Sequence, residues 1–326
     1  MIIDAHMHYA DDDPDFLALL AEYDLKFLNI CFVKDPALDW RDQADLYRQM
    51  TNQHPNRFAW CTSFYLPDFP AFSDPSWHDR AIAGLNADFA AGAIACKVWK
   101  NVGMEVRKPD GSFLMPDDPI FDPIYEHIAA SNRTLLMHIA EPLACWQPLD
   151  DKNPHYGYYS NNPEWHMYNR PDYPSHQQLI TARDNVVAKH PNLRVVGAHL
   201  GSLEYDVDEV AARFDRYPNF AVDISARLID LVIQPTEKVR DFFLRYADRI
   251  LYGTDVVMRE RPSAMSSEER AEALDKLRTN FTTHFAYFDA GNEVTVRDRT
   301  TKGLNLPPDI LDQFYVQSAR TWYPGL

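Results

Sequence analysis

The chain has 326 residues, 46% of them hydrophobic and 25% charged, which is typical of a folded globular protein and excludes a disordered one. Its 48 acidic and 32 basic residues give a formal net charge of −16, so we expect neither nucleic acid nor a membrane surface as a partner. The motifs GxGxxG, GxxxxGKS/T and GxSxG are all missing, and with them the usual signals for dinucleotide sites, phosphate-binding loops and serine hydrolases.

The cysteines and the N-terminus favour a reducing compartment. The four cysteines show no CxxC spacing and three of them lie in apolar runs, so we expect buried, reduced thiols. No stretch reaches the roughly 18 apolar residues that a membrane helix needs. The first residues have neither the basic start nor the apolar core of a signal peptide. A cytoplasmic protein is therefore expected.

Eight apolar runs of strand length follow one another along the chain. Most are nearly continuous rather than alternating, which is typical of parallel strands covered on both faces. The predicted strands are residues 2–8, 26–33, 58–66, 93–99, 134–139, 193–200, 220–225 and 250–255.

Helical periodicity fills the gaps between these strands. Apolar residues recur at the i, i+3, i+4, i+7 spacing, and the pair Asp206 and Glu209 resembles a capping box. Strand and helix alternating about eight times predict a single α/β domain over residues 1–326, a (β/α)8 TIM-type barrel. The predicted helices lie at residues 39–50, 77–90, 122–130, 175–190, 207–214 and 239–246, with an extra C-terminal one near 308–322 packed outside the barrel.

Two connections are longer than this repeat requires: residues 101–119 after the fourth strand and residues 141–174 after the fifth. Loops beyond about 12–15 residues in a compact domain are usually functional or disordered. The second connection is rich in tryptophan and tyrosine, which a solvated linker would not be. We predict that this long inserted loop is a lid over the barrel mouth; the alternative is a contact between two copies in a homodimer.

Histidine and aspartate occur where several of the predicted strands end. His6 and His8 are two residues apart on the first strand, so their imidazoles point to the same side. His138, His199 and Asp255 close the fifth, sixth and eighth strands. The carboxyl ends of barrel strands form the catalytic face of this fold, so the five side chains should converge there. Unrelated polar groups at such positions would be costly if they were unpaired.

These residues resemble the pattern of the amidohydrolase superfamily, with HxH after strand one, His after strands five and six, and Asp after strand eight. The phrases IIDAHMH, GAHLGS and LYGTD are similar to its amidohydrolase-related branch. That branch includes aminocarboxymuconate-semialdehyde decarboxylase and several lactone and ester hydrolases. The resemblance extends from residue 2 to about residue 260 and is specific for the superfamily, but it does not select a reaction.

The resemblance implies that His6, His8, His138 and Asp255 bind one divalent metal. Imidazole and carboxylate donors suit Zn²⁺ best, with Mn²⁺, Fe²⁺ or Co²⁺ as alternatives. A metal-activated water would be the nucleophile, since its pKa falls towards about 7. The catalytic residues would then be Asp255, which takes the proton of that water, and His199, which polarises a carbonyl or protonates the leaving group.

Lys97 lies in the fourth strand, where binuclear members of the superfamily carry a carboxylated lysine that bridges two metals. The neighbourhood favours the mononuclear branch, in which a free Lys97 would bind a substrate carboxylate or form a structural ion pair, and Lys100 fits the first of these roles equally well. The other candidates for substrate binding are Trp99, Glu141, Trp146, Arg227 and Arg259, where the arginines suit a carboxylate and the tryptophans an apolar wall. The remaining histidines, His155 among them, are assigned structural or solvated roles, and His166 is the one most worth following.

The sequence therefore predicts a metal-dependent hydrolase of a small, carboxylated ester, lactone or amide. The alternative is a non-oxidative decarboxylase or hydratase of a carboxylated ring compound that uses the same site. A barrel that binds metal and ligand without turnover is a weaker hypothesis, because all five strand-end residues are present. A metal-dependent nuclease is disfavoured by the acidic charge.

Overall fold

A computed structural model describes residues 1–33, 40–67, 71–257 and 265–326. Eight strands follow one another in chain order, each parallel to the next. Backbone hydrogen bonds from Ala5 N to Tyr252 O (2.9 Å) and from Asp255 N to His6 O (2.8 Å) join the last strand region to the first. The strands are β1 Ile2–Met7, β2 Leu25–Ile30, β3 Phe58–Thr62, β4 Ala95–Val98, β5 Thr134–Met137, β6 Arg194–Gly197, β7 Phe220–Asp223 and β8 Ile250–Leu251.

Helices connect the strands and cover the outside of the sheet. Side chains cap several of them: Ser175 and Gln178 form a reciprocal capping box at one helix start. The helices are α1 Pro14–Glu22, α2 Arg41–Gln53, α3 Ser76–Ala90, α4 Asp122–Ala130, α5 Tyr156–Asn161, α6 His176–Lys189, α7 Val207–Arg216, α8 Leu228–Val232, α9 Thr236–Tyr246, α10 Ser267–Asp289, and the C-terminal α11, which runs Pro308–Asp312, passes through a π-helical turn at Gln313–Gln317 and ends with Ser318–Trp322.

The predicted (β/α)8 barrel is confirmed, but its strands are shorter than the apolar runs. β8 ends at Leu251, four residues before Asp255, and β5 ends one residue before His138. The chain leaves the hydrogen-bonded ladder early and forms the loops of the catalytic face, and these loops carry the polar side chains. The predicted start of α2 at residue 39 lies outside the described residues. The expected capping box at Asp206 is wrong in detail, because its side chain accepts from the N–H of Asp208 rather than of Glu209.

The inserted segments have structure of their own. Residues 101–119 contain the short turn Asn101–Met104 and a bridge between Arg107 and Phe113, before the 3-10 turn Pro119–Phe121. Residues 141–174 contain α5 and two 3-10 turns, Leu143–Trp146 and Pro163–Trp165. An antiparallel hairpin that the sequence analysis missed, β9 Glu293–Val296 with β10 Arg299–Lys302, precedes α11.

The core is continuous around the barrel and its helices, and it includes all four cysteines as free, buried thiols, as expected. Among the described residues, no helix is both long enough and apolar enough to span a bilayer.

Candidate metal centre and substrate pocket

His6 is fully buried on β1, and its two ring nitrogens face different partners. Nδ1 lies 2.8 Å from Oδ2 of Asp223, the last residue of β7. A carboxylate at this distance places the imidazole proton on Nδ1 and leaves the Nε2 lone pair available to a metal. Burial by itself would raise the pKa of Asp223, but the neighbouring His6 holds it well below its usual range, so the carboxylate stays ionised.

Asp255 lies between His6 of β1 and His8, the residue directly after β1. Its Oδ1 is 3.7 Å from His6 Nε2 and 3.4 Å from His8 Nε2. Burial opposes the ionisation of Asp255, but the hydrogen bond to His8 and the surrounding imidazoles hold its pKa far below the usual range. Burial also lowers the pKa of His8, so this ring is neutral. These three side chains offer donor atoms within 4.8 Å of one another, a donor set that fits one divalent ion.

His138 does not join that group. Its Nδ1 lies 3.1 Å from Nε2 of His199, whose own Nδ1 lies 2.8 Å from the carbonyl oxygen of Ser225. A carbonyl accepts only, so His199 carries its proton on Nδ1 and accepts at Nε2 from His138. This tautomer leaves a lone pair on Nε2 of His138, which is buried and has no hydrogen-bond partner in the described parts of the chain. Nε2 of His138 thus has a lone pair that a metal could use, although this residue is not part of the group whose donor atoms lie within 4.8 Å of one another.

Several non-glycine residues on the loops after β5 to β8 adopt left-handed backbone angles. His199 has φ +59° and Asp255 φ +60°, and Ala140 and Ala226 follow β5 and β7 with φ +66° and +56°. Such angles cost of order 1 kcal/mol or more each and persist where the surrounding structure imposes them, often at functional sites. Here they turn the chain sharply at the strand ends and aim His199 and Asp255 into the barrel mouth.

Lys97 belongs to the metal centre rather than to the outer pocket. Its Nζ lies 3.0 Å from Nε2 of His6, the nitrogen that also faces Asp255, and its side chain is 2% exposed. Burial lowers the pKa of the Lys97 ammonium. The charge or the modification of Lys97 would therefore directly change the electrostatics and the donor set of the ion site.

A buried ion pair, Lys100 with Glu141, lies beside the centre. Nζ of Lys100 is 3.9 Å from the ring centroid of Trp165 and 3.3 Å from the hydroxyl of Tyr158, both in the segment 141–174. Burial lowers the pKa of Lys100 to about 7.

A row of aromatic rings leads from the centre to the same segment. Phe32 lies 5.1 Å from His8, Trp99 lies 5.5 Å from Phe32, and Trp165 lies 5.5 Å from Trp99, each measured between ring centroids. The predicted pocket residues Trp99, Lys100 and Glu141 are therefore together.

Arg227, directly after β7, is 8% exposed, and one of its Nη atoms donates to the carbonyl of Ala226. Its Nε is buried and unpartnered within the described ranges. Burial lowers the pKa of both His138 and His199 and the positive charge of Arg227 adds to this, so Arg227 lies within electrostatic range of these two rings. A buried guanidinium with unused donors is well suited to a carboxylate.

The other predicted pocket residues lie elsewhere. Trp146 donates from Nε1 to the carbonyl of Pro174 (3.1 Å) and packs on His176, so it joins the two ends of the inserted segment. Arg259 lies outside the described residues. His166 is half-buried and bonds to the carbonyl of Gln147.

Asp223 is the functional residue that the sequence analysis missed. The signal was available, because a carboxylate closes the apolar run FAVD just as Asp255 follows the eighth strand. His155, assigned a structural or solvated role, is 7% exposed and lies 2.9 Å from Asp230, a buried partner that no local sequence pattern indicates.

Comparisons with known proteins identify the family of this chain. The amidohydrolase family model matches residues 3–325, so the chain belongs to the amidohydrolase family, a family of metal-dependent enzymes. No curated protein sequence matches it significantly.

Solved structures share the fold at low sequence identity. A 2,6-dihydroxybenzoate decarboxylase is 17% identical with a TM-score of 0.55, over 99% of this chain and 98% of that one. A 4-oxalomesaconate hydratase from Rhodopseudomonas palustris is 14% identical with a TM-score of 0.54, over 100% and 96%. A dihydroxybenzoic acid decarboxylase from Polaromonas with bound manganese is 14% identical with a TM-score of 0.55, over 99% and 96%.

Proposed function

We propose that this enzyme hydrolyses a small, carboxylated ester, lactone or amide with one divalent metal. The observation that carries the proposal is the convergence of His6, His8 and Asp255, together with the buried guanidinium of Arg227, whose Nε is unpartnered among the described residues. The ion would be held by these three side chains, with His138 next to them. When bound, it supplies positive charge that polarises a carbonyl and makes water more acidic.

The side chains divide the remaining work. Asp255 is ionised and its side chain is 25% exposed, so it can take a proton from an attacking water. His199 holds its proton on Nδ1 against Ser225 and accepts from His138 at Nε2, so in this tautomer it orients His138 and has no proton to give to a leaving group. Arg227 binds the substrate carboxylate, and the rings of Phe32 and Trp99 bound the apolar side of the pocket.

The second candidate is non-oxidative decarboxylation of a carboxylated ring compound. The row of rings beside the metal centre favours it, since flat aromatic walls suit a planar substrate. Two of the solved structures that share this fold are decarboxylases of hydroxybenzoates, which adds support by analogy.

Two measurements test these assignments. Elemental analysis of wild type and of the His6→Ala/His8→Ala double variant should find about one Zn, Mn or Fe per chain that the double variant loses. Two ions per chain would instead place a carboxylated Lys97 between them, and none after reconstitution would refute the metal site. Lactones, esters and carboxylated phenols are then screened in water enriched in oxygen-18. Label in a carboxylate formed by cleavage indicates hydrolysis, whereas release of CO₂ with an organic product that carries no label indicates decarboxylation.

A further inference from the structure

A buried polar network lies behind Arg227, outside the metal centre. It joins three connections of the catalytic face: the segment 141–174 after β5, the loop after β6 and α8 after β7. Its ionisable members are His155, Glu204 and Asp230, which are 7%, 2% and 2% exposed. Charged groups are rarely so buried unless they are paired for a purpose, so this cluster requires an explanation.

The first link attaches the inserted segment to α8. His155 Nε2, one residue before α5, lies 2.9 Å from Oδ1 of Asp230 on α8. The segment also fixes His155 locally, because the side chain of Asn153 accepts from the backbone N–H of His155 and donates to the carbonyl of Ala144. The position of α5 therefore follows the position of α8.

The second link attaches the beginning of the segment to the loop after β6. Oε1 of Glu204 accepts from the backbone N–H of Leu143 at 2.8 Å. Gln234 then joins this loop to α8, since its Nε2 donates to the carbonyl oxygens of Glu204 and Asp230 at 2.8 and 2.9 Å. Three loops that are remote in sequence are thus joined by side-chain hydrogen bonds rather than by the backbone hydrogen bonds between barrel strands.

Three atoms of this region are buried and unpartnered among the described residues: Nε of Arg227, Oε2 of Glu204 and Oδ2 of Asp230. One is a donor and two are acceptors. Burial and the charge of Asp230 raise the pKa of Glu204, while the charge of Arg227 lowers it, so the three groups lie within electrostatic reach of one another. Arg227 is also three residues before Asp230, at the start of α8. The two carboxylates therefore attract the guanidinium electrostatically, although none of their hydrogen bonds within the described ranges joins them to it.

We propose that His155, Asp230 and Glu204 are positioning residues that fasten the segment 141–174 to α8 and thereby fix the Arg227 guanidinium at the substrate pocket. The same contacts hold Tyr158 and Trp165, which belong to this segment, against Lys100. The network thus couples the position of the segment 141–174 to the orientation of Arg227, the residue that binds the substrate carboxylate. The statement about substrate rests on the proposed function, whereas the statement about the segment does not.

The test compares His155→Ala with His166→Ala, a control on the same segment whose histidine side chain is half-buried and bonds only to the carbonyl of Gln147 among the described residues. Backbone hydrogen exchange read by mass spectrometry needs no substrate. We expect His155→Ala to accelerate exchange about tenfold in peptides covering residues 150–166 and 227–234, with the strands β1 to β5 unchanged. Asp230→Asn keeps an oxygen that accepts from His155 and should retain most of the protection. Asp230→Leu, which has a similar volume but no acceptor, replaces His155→Ala if that variant fails to fold.

Kinetics and metal content complete the experiment. On any substrate found in the screen, His155→Ala should raise KM about tenfold with kcat nearly unchanged and metal content unchanged. Unchanged exchange in both peptides, or equal acceleration in every strand, would overturn the proposal, as would a normal KM with altered exchange. A change in the mass of the particle in solution would also overturn it, because the segment would then be a contact between copies. A normal KM for Arg227→Ala would refute the role of Arg227 in the proposed function and leave the exchange result standing.

Discussion

Replacing Asp223 with asparagine should weaken metal binding although Asp223 itself is not a metal ligand. Its Oδ2 holds the Nδ1 proton of His6 at 2.8 Å, and its Oδ1 accepts from the backbone N–H of His199 at 2.9 Å. Asparagine is nearly isosteric, but an amide nitrogen facing His6 donates where the carboxylate accepted. His6 would then place its proton on Nε2, the nitrogen that should bind the ion.

The expected loss is about 10- to 100-fold in metal affinity, or about 1.4–2.7 kcal/mol at 25 °C. Competition with a chromogenic chelator at fixed pH measures this affinity, and circular dichroism reports whether the barrel stays folded. Asp298→Asn is the matched control, since its carboxylate is 80% exposed at the turn of the hairpin. Equal metal affinity in wild type and in folded Asp223→Asn would show that Asp223 does not set the tautomer of His6.

Three further results are expected. Glu141→Gln leaves Lys100 buried without its carboxylate and should lower the free energy of unfolding by about 3 kcal/mol in urea titrations, whereas Lys100→Met/Glu141→Leu should cost less; equal losses would mean that the pair contributes only packing. Burial lowers the pKa of His284 to about 4, so its contribution to stability is present above pH 6.5 and is lost as the pH falls through 4. The free energy of unfolding of the wild type should fall by up to about 3 kcal/mol over that range. Thermal unfolding of His284→Leu should show a flatter dependence of stability on pH, and an unchanged dependence would refute the assignment. Removing the metal with a chelator should abolish turnover and lower the melting temperature while far-ultraviolet dichroism persists, because the contact of His6 with Asp223 uses protein atoms alone; complete unfolding would show that the barrel depends on the ion.

The barrel could be predicted from the sequence because the same strand and helix pattern is repeated along the chain. Eight apolar runs separated by helical periodicity admit few architectures, and each run contributes evidence independently of the others. The convergence of His6, His8 and Asp255 could be predicted for a related reason. His6 and His8 share one side of a strand, and Asp255 follows the end of another, so the direction of the strands alone brings them to one face.

Only the tertiary structure decided which buried groups meet across the connections. The contacts of His155 with Asp230 and of Glu204 with Leu143 join residues 75 and 61 positions apart on loops, and no periodicity registers such pairs. The tautomers of His6 and His199 are likewise set by acceptors on β7 and directly after it, remote from both residues in sequence. Hydrophobic patterning records which face of an element is buried, and therefore it determined the barrel and its catalytic face. The partner of each buried polar atom depends on where other segments pass in space, and that is fixed when the chain has folded.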